Sequence, residues 1–222
     1  MPAQNNTQLI PFQDWTLRVR PAEAQPTRLL LLIHGWTGDE NSMWVFAPRL
    51  PRNALLVAPR GLYSTEGVAG YSWHPEVPKP WPWVNDFEPA VEKLFSVISG
   101  QYFPEGDFSS LHLVGFSQGA ALAYSMVITY PERVASLAGL SGFLPDGAST
   151  RLGNERLKGL PVFIAHGTED ERVPVEKART TVGLLQDAGA NVTYCEDTVG
   201  HKLSAKCFRG LEAFYKKFSF QV

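Results

Sequence analysis

Short, nearly continuous apolar segments recur along this chain and alternate with longer segments of helical periodicity. An apolar segment of this kind predicts a strand buried on both faces, and its alternation with helices predicts βαβ units around a mostly parallel sheet. The predicted strands of this type are RLLLLIHG (28–35), ALLVAPRG (54–61), SLHLVGF (110–116), RVASLAGLSG (133–142) and LPVFIAHG (160–167), and NVTYCED (191–197) is predicted as the last strand. A further segment, QDWTLRVR (13–20), predicts an antiparallel first strand.

Helical patterns fill the spaces between these strands. The predicted helices are Asn41–Leu50, Pro89–Ser99, Gln118–Tyr130, Val175–Ala188 and Ser204–Phe218. With 222 residues the chain can bury one sizeable core, so we predict a single α/β domain over residues 1–222 with helices on both faces of the sheet. Ligands of such sheets bind beyond the carboxyl ends of the strands, and functional residues are expected there.

Composition and charge exclude several classes of protein. Lys and Arg number 20 against 22 for Asp and Glu, and no long basic block is present, so nucleic acid is not an expected partner. The N-terminal residues lack the pattern of a secretory signal, and the apolar run Leu29–Ile33 is too short for a membrane span. We therefore expect a cytoplasmic protein, and its two cysteines, Cys195 and Cys207, are expected to be reduced thiols.

The segment LVGFSQG (113–119) places a serine between two glycines, after a predicted strand and before a predicted helix. Gly-x-Ser-x-Gly in this context is typical of a nucleophile elbow, a turn so tight that it strains the serine backbone and exposes its hydroxyl. Gly115 and Gly119 are expected because side chains there would collide with neighbouring backbone. Ser117 is therefore the predicted nucleophile, and a simple tight turn is the alternative.

A serine hydroxyl needs a general base to accept its proton. Three of the chain's five histidines, at positions 34, 112 and 166, lie inside or at the tips of predicted strands, where a buried, hydrogen-bonded role is usual. His201 follows the last predicted strand, at the correct end of the sheet, and is the predicted base. His74, in a proline-rich segment, remains an open alternative.

The imidazole needs a carboxylate to fix its tautomer. The segment HGTEDERVP offers Glu169, Asp170 and Glu171 just beyond a predicted strand, although such an acidic run is often only a solvated loop. We favour Asp170 because His-Gly-x-x-Asp-x-x-Val-Pro makes a turn after the strand and then begins a helix. The order Ser117, Asp170, His201 is the nucleophile–acid–histidine order of this architecture.

Two backbone N–H groups are expected to stabilise the oxyanion of an acyl-transfer intermediate. The first belongs to Gln118, the residue after the predicted nucleophile. The second is expected from the HGWTGDE loop (34–40), where Trp36 is the candidate. Such chemistry needs no metal and no organic cofactor.

The segment from Tyr71 to Pro89, YSWHPEVPKPWPWVNDFEP, is unusually rich in proline and tryptophan. We predict a rigid loop at the carboxyl end of a strand, with Trp73, Trp81 and Trp83 as candidate walls of the substrate pocket. A proline-rich ligand for another protein, built on PEVP (75–78), is the alternative.

The segments HGWTGDE, GFSQGAALA and HGTEDERVP, with the late GH, resemble the phospholipase/carboxylesterase family of α/β-hydrolases, which includes acyl-protein thioesterase-like enzymes. The resemblance spans roughly Leu29 to Phe218. It implies an α/β-hydrolase fold, no cofactor, and the same site residues: Ser117, Asp170 and His201 as the triad, with Trp36 and Gln118 as oxyanion donors.

The segment from Gly142 to Gly159 is too short for a large helical lid, so we predict no substantial lid domain and an open site. The predicted function is a serine carboxylesterase acting on small-molecule acyl esters, or on thioesters. The alternatives are a non-catalytic binding protein on the same scaffold, and a related hydrolase of peptides or lactones, because fold alone does not fix function. The sequence predicts no particular oligomeric state.

Overall fold

The computed structural model describes residues 7–12, 15–23, 27–76, 80–99, 101–104, 106–218 and 220. Its strands, in chain order, are β1 (Gln8–Phe12), β2 (Trp15–Arg20), β3 (Thr27–Ile33), β4 (Leu55–Pro59), β5 (Tyr63–Ser64), β6 (Tyr71–Ser72), β7 (Gly106–Phe116), β8 (Val134–Leu140), β9 (Pro161–Gly167) and β10 (Asn191–Asp197). Its α-helices are α1 (Glu88–Val97), α2 (Gln118–Thr129), α3 (Ala148–Arg151), α4 (Val175–Asp187) and α5 (Ala205–Tyr215).

Within these residues one sheet of eight strands has the order β1-β2-β4-β3-β7-β8-β9-β10. The strands from β4 to β10 in that order pair in parallel, whereas β1 pairs with β2, and β2 with β4, in antiparallel fashion. The predicted mostly parallel sheet is therefore confirmed, including its antiparallel early strand, of which residues 13 and 14 lie outside the described residues. Strand β1 and the small β5–β6 hairpin were not predicted from the sequence.

Both faces of the sheet are covered, and β3 shows how. Its residues Leu29, Leu31 and Ile33 belong to one buried core, which also contains side chains of α1, α2 and α4. The alternate residues Leu30 and Leu32 belong to a second core, on the side of α5. Successive side chains of a strand point to opposite faces, so burial on both faces requires the continuous apolar sequence seen here.

The predicted helix Asn41–Leu50 is wrong. Two short 3₁₀ helices, Ser42–Val45 and Ala47–Arg49, occupy this segment. Pro48 explains the difference, because proline has no N–H to donate to the carbonyl four residues earlier. The other predicted helices are present, with ends that differ by a few residues.

The segment between β8 and β9 contains only the four-residue helix α3, which confirms that no substantial lid domain is inserted there. Among the helices in the described part of the chain, none combines the length and apolar character needed to cross a membrane.

The expectation of two reduced thiols is wrong, because Cys195 and Cys207 form a disulfide. Cys195 lies in β10, and Cys207 lies near the start of α5. No local sequence pattern indicates that these cysteines are paired, because they lie 12 positions apart in different secondary-structure elements. The bond closes a covalent ring around the loop that carries His201.

Reduction of this disulfide is expected to lower stability. Opening a loop of this size restores conformational entropy to the unfolded chain worth about 3 kcal/mol in the chain-entropy model. For a chain of this length the melting temperature should fall on the order of 6–12 °C, measured by differential scanning calorimetry with and without dithiothreitol.

The matched control is the double variant Cys195→Ala/Cys207→Ala, which should melt near the reduced wild type and show no further shift with dithiothreitol. An unchanged melting temperature on complete reduction, with both thiols titrated, would contradict the stabilising role.

Candidate active site

Ser117 occupies the junction between β7 and α2 in a backbone conformation that L-residues rarely adopt, with φ 54° and ψ −117°. A Cβ on Gly119 would collide with the carbonyl oxygen of Ile33. A Cβ on Gly115 would collide with the carbonyl oxygen of Gly119. The predicted strain at Ser117 and the predicted reason for both glycines are therefore confirmed. The turn is fixed because the Ser117 N–H donates to Leu140 O at 2.9 Å.

Asp170 and His201 come together from different loops. The His201 Nδ1 is 2.7 Å from Asp170 Oδ2 in a hydrogen bond. The Asp170 side chain is fully buried and that of His201 is 14% exposed. This contact uses Nδ1 and leaves Nε2 as the ring nitrogen available for proton transfer, and His201 lines a cavity.

Backbone donors hold the Asp170 carboxylate. Its Oδ1 accepts the N–H groups of Arg172 and Val173, each at 2.9 Å. Glu169 and Glu171, the other acids of the segment, are exposed. A buried carboxylate needs hydrogen-bond donors, and the turn supplies them only to Asp170.

The loop that carries His201 is attached to the end of β9 by backbone contacts. Thr168 N–H donates to Asp197 O at 2.9 Å, and Glu169 N–H donates to Val199 O at 3.1 Å. A Cβ on Gly167 would collide with Val199 O, so only glycine permits this approach. The His201 loop and the Asp170 turn therefore form one packed unit.

Ser117 and His201 line the same cavity, of about 810 Å³. Among the described residues the Ser117 hydroxyl makes no hydrogen bond with the His201 ring, and such contacts often tighten only when substrate binds. The structure thus pairs two of the three predicted triad residues directly and places the third, Ser117, on the same cavity as His201. In the same part of the chain, no group of three or more His, Cys, Asp or Glu side chains is arranged to hold a metal ion.

The two candidate oxyanion donors also border this cavity. Gln118 is the first residue of α2, so its N–H has no partner within the helix. Trp36 follows Gly35, where a Cβ would lie 3.2 Å from the Ser117 Cβ, and this places the loop against the elbow. Among the described residues the Trp36 N–H has no hydrogen-bond partner.

An ion pair that was not predicted from the sequence anchors the loop of residues 34–40, which carries Trp36. Glu40, only 3% exposed, accepts from Arg60 Nε at 2.8 Å and from Arg60 Nη2 at 2.9 Å. These hydrogen bonds lower the pKa of the Glu40 carboxyl. Because Arg60 directly follows β4, the pair ties the loop to the neighbouring strand.

The side chain of Gln118 has a structural role that the sequence analysis also missed. Its Oε1 accepts the N–H of Trp73 at 3.0 Å, and its Nε2 lies 3.0 Å from both Ser72 Oγ and His74 Nε2. His74, the open alternative for the base, therefore contacts an amide through Nε2, whereas His201 contacts a carboxylate. No local pattern signals this link, because the partners are more than 40 residues apart.

Of the three candidate pocket tryptophans, Trp81 lines the cavity and packs against Phe143 with ring centroids 4.8 Å apart. The other two do not line it, and that part of the prediction is corrected. Trp73 is fully buried and donates to His34 O at 2.8 Å, and Trp83 lies 48% exposed beside Gly147. Residues 77 and 78 of PEVP lie outside the described residues.

His34, His112 and His166 are buried, as predicted. His34 directly follows β3. Its Nε2 accepts the Gly61 N–H at 2.8 Å, and its Nδ1 contacts Gly35 O at 2.7 Å. Burial lowers the pKa of His34 from its ordinary value of 6.5 to about 4. The folded protein therefore holds this ring neutral.

The free energy of unfolding is expected to fall in acid because of His34. Its folded pKa is below its unfolded pKa, so its stabilising effect is complete above pH 6.5 and is lost as the pH falls toward 4. Between pH 7 and pH 4.5, protonation of His34 should lower the free energy of unfolding by about 2.5 kcal/mol. Urea denaturation at the two pH values measures this difference.

The variant His34→Gln retains a donor and an acceptor but cannot be protonated, so its loss over the same range should be smaller by about that amount. His112, whose pKa burial also lowers to about 4, is present in both proteins and cancels from the comparison. Equal losses in the two proteins would contradict the assignment.

Comparison with known proteins connects this geometry to a family. A family model described as phospholipase/carboxylesterase matches residues 16–219. Carboxylesterase SOBER1 of Arabidopsis thaliana is 27% identical over 185 residues, covering 80% of this chain and 77% of that protein. Acyl-protein thioesterase 1 of Eremothecium gossypii is 26% identical over 214 residues, covering 88% and 90%. The Bacillus cereus carboxylesterase structure has a TM-score of 0.79 at 22% identity, covering 92% of this chain and 95% of that one.

Proposed function

Because this chain belongs to the phospholipase/carboxylesterase family of α/β-hydrolases, we propose that it hydrolyses carboxylic esters through an acyl-enzyme on Ser117. Membership of this family identifies the chain as an ester hydrolase of the serine hydrolase type. The acyl-enzyme, the roles of individual residues and the substrate are the content of the proposal.

The observation that carries the proposal is the buried Asp170 carboxylate hydrogen-bonded at 2.7 Å to an imidazole that borders the same cavity as Ser117. A carboxylate in this position fixes the imidazole tautomer and stabilises the imidazolium that forms when the ring takes a proton. A non-catalytic binding protein has no need of this arrangement.

In the proposed reaction the Ser117 Oγ attacks the ester carbonyl carbon while the His201 Nε2 accepts the proton of the Ser117 hydroxyl. The carbonyl oxygen becomes an oxyanion, for which the N–H groups of Trp36 and Gln118 are the candidate donors. His201 then gives the proton to the departing oxygen, and the acyl group remains on Ser117. Water, deprotonated by the same imidazole, releases the acid.

The cavity favours a small or medium-sized substrate with apolar character. Its volume of about 810 Å³ is within the range of small-molecule sites, and Trp81 and Phe143 form an apolar part of its wall. Thioesters are the second candidate class, because a thiol can leave by the same steps and one relative is named as an acyl-protein thioesterase.

Replacement of the nucleophile tests the proposal most directly. Ser117→Ala should lower kcat/KM for p-nitrophenyl esters by on the order of 10⁴ or more, because the whole catalytic unit depends on this oxygen. A fluorophosphonate probe should label the wild type and not the variant, as read by intact-protein mass. Near-normal hydrolysis by the variant would refute the mechanism, and an unlabelled wild type would favour the non-catalytic alternative.

The choice of Asp170 over the neighbouring acid Glu169 is tested separately. Asp170→Asn keeps an acceptor for the Arg172 and Val173 N–H groups but removes the charge beside His201, so kcat should fall by roughly 10⁴. Glu169→Gln is the matched control and should leave kcat within about twofold, since that side chain is exposed. A larger loss in the control than in Asp170→Asn would reverse the assignment.

A further inference from the structure

His166, the penultimate residue of β9, packs against the turn that carries Asp170. The two side chains are both completely buried. The His166 Nε2 is hydrogen-bonded to the carbonyl oxygen of Val173 at 2.8 Å and lies 3.4 Å from Asp170 Oδ2. The Asp170 carboxylate is therefore flanked by two imidazole rings, that of His201 and that of His166.

The contact with Val173 identifies which nitrogen of the His166 ring carries the proton. A carbonyl oxygen only accepts hydrogen bonds, so Nε2 must donate an N–H to it. The same N–H lies near Asp170 Oδ2, where its positive end faces the carboxylate. At 3.4 Å this second contact is longer than an ordinary hydrogen bond, so the bond to Val173 is the stronger of the two.

Three residues form a short cycle that connects the carboxylate to the sheet. The Val173 N–H donates to Asp170 Oδ1 at 2.9 Å, while the Val173 carbonyl oxygen accepts from His166. His166 belongs to β9, which is held between β8 and β10 in the sheet. The cycle therefore restricts any rotation of the carboxylate that would turn Oδ2 away from His201.

The other nitrogen of the His166 ring shows that this placement lowers stability. Within the described residues, Nδ1 is buried and has no hydrogen-bond partner. An unpaired buried acceptor is destabilising, and each one in a native protein needs an explanation. The preceding β9 residues 162–165 are apolar and buried, and an apolar residue at position 166 would avoid the unpaired acceptor. A role in holding Asp170 explains a histidine at this position.

We propose that His166 is a positioning residue for acyl transfer, whose Nε2–H holds the Asp170 turn so that Oδ2 stays in contact with His201. This inference rests on the proposed function and adds a fourth side chain to the three of the triad. The His166 ring does not line the cavity that contains Ser117, so it acts through Asp170 and not on the substrate. No proton moves to or from His166 in the proposed reaction.

Replacement of His166 by phenylalanine tests this role, because phenylalanine keeps a planar ring but donates no hydrogen bond. The kcat for p-nitrophenyl acetate should fall by on the order of 10–100-fold, since a catalytic group displaced by about 1 Å can cost roughly 10²-fold. KM should stay within about twofold, because the interaction that is lost supports the transition state and not substrate binding. His166→Gln, whose amide N–H reaches the position of the imidazole Nε2, should recover most of the lost kcat.

A double-mutant cycle separates this role from a merely structural one. If His166 acts through Asp170, then His166→Phe should have no further effect on a protein that already carries Asp170→Asn. The kcat of the double variant should therefore equal that of Asp170→Asn within about twofold. The downfield proton NMR resonance of the His201 Nδ1–H should persist in His166→Gln and should be broadened or lost in His166→Phe.

His112→Phe is the matched control. His112 is also a fully buried strand histidine, and its Nδ1 contacts Ser136 Oγ at 2.7 Å, far from the Asp170 turn. The control should keep kcat within about twofold of the wild type, because distant sites with no shared partner act independently. Thermal melting shows whether each variant is folded at the assay temperature. If His166→Phe does not fold, His166→Asn replaces it in every comparison, because the shorter amide does not reach the Nε2 position.

Three results would overturn the positioning role while leaving the proposed function intact. The first is wild-type kcat in the folded variant that lacks the donor, with acetyl-Ser117 still detected by mass spectrometry. The second is an equal loss of kcat with and without Asp170→Asn, which would show that His166 does not act through Asp170. The third is an equal loss in His112→Phe. A wild type that forms no acetyl-Ser117 would instead overturn the proposed function, and the role of His166 with it.

Discussion

The strained turn at Ser117 is the constraint on which the arrangement of the site depends. A residue with φ 54° between a strand and a helix is tolerated only where the surroundings hold it, and here the close approach of α2 to the end of β3 does so. Gly115 and Gly119 permit that approach because a Cβ at either position would meet backbone. The result is a serine at the carboxyl edge of the sheet, with the first N–H of a helix beside it.

The same edge collects the other functional groups, and backbone contacts hold them there. Asp170 is fixed by N–H donors of its own turn, and the His201 loop is hydrogen-bonded through Asp197 and Val199 to the residues that follow β9. The Cys195–Cys207 disulfide closes that loop from outside. Because the turn and the loop are each restrained, the 2.7 Å contact between Asp170 and His201 costs little further entropy.

Much of the architecture could be predicted from local patterns. Continuous apolar segments such as Leu29–Ile33 identified the buried strands, because a strand covered on both faces has no polar side to display. Predictions failed where distant groups decide. Trp73 proved to be core rather than pocket wall, and the two cysteines meet only because α5 returns to β10. The helix predicted over Asn41–Leu50 failed for a local reason, because Pro48 limits that segment to 3₁₀ turns.

The sequence by itself determined the kinds of residue at the site and their order: a serine in an elbow, an acid after a strand and a late histidine. These signals are local, since backbone geometry and turn chemistry act between near neighbours. Only the tertiary structure decided which carboxylate meets which imidazole, and that Gln118 binds residues 72–74. Such contacts join residues tens of positions apart, and their geometry depends on how whole elements pack, which no short pattern encodes.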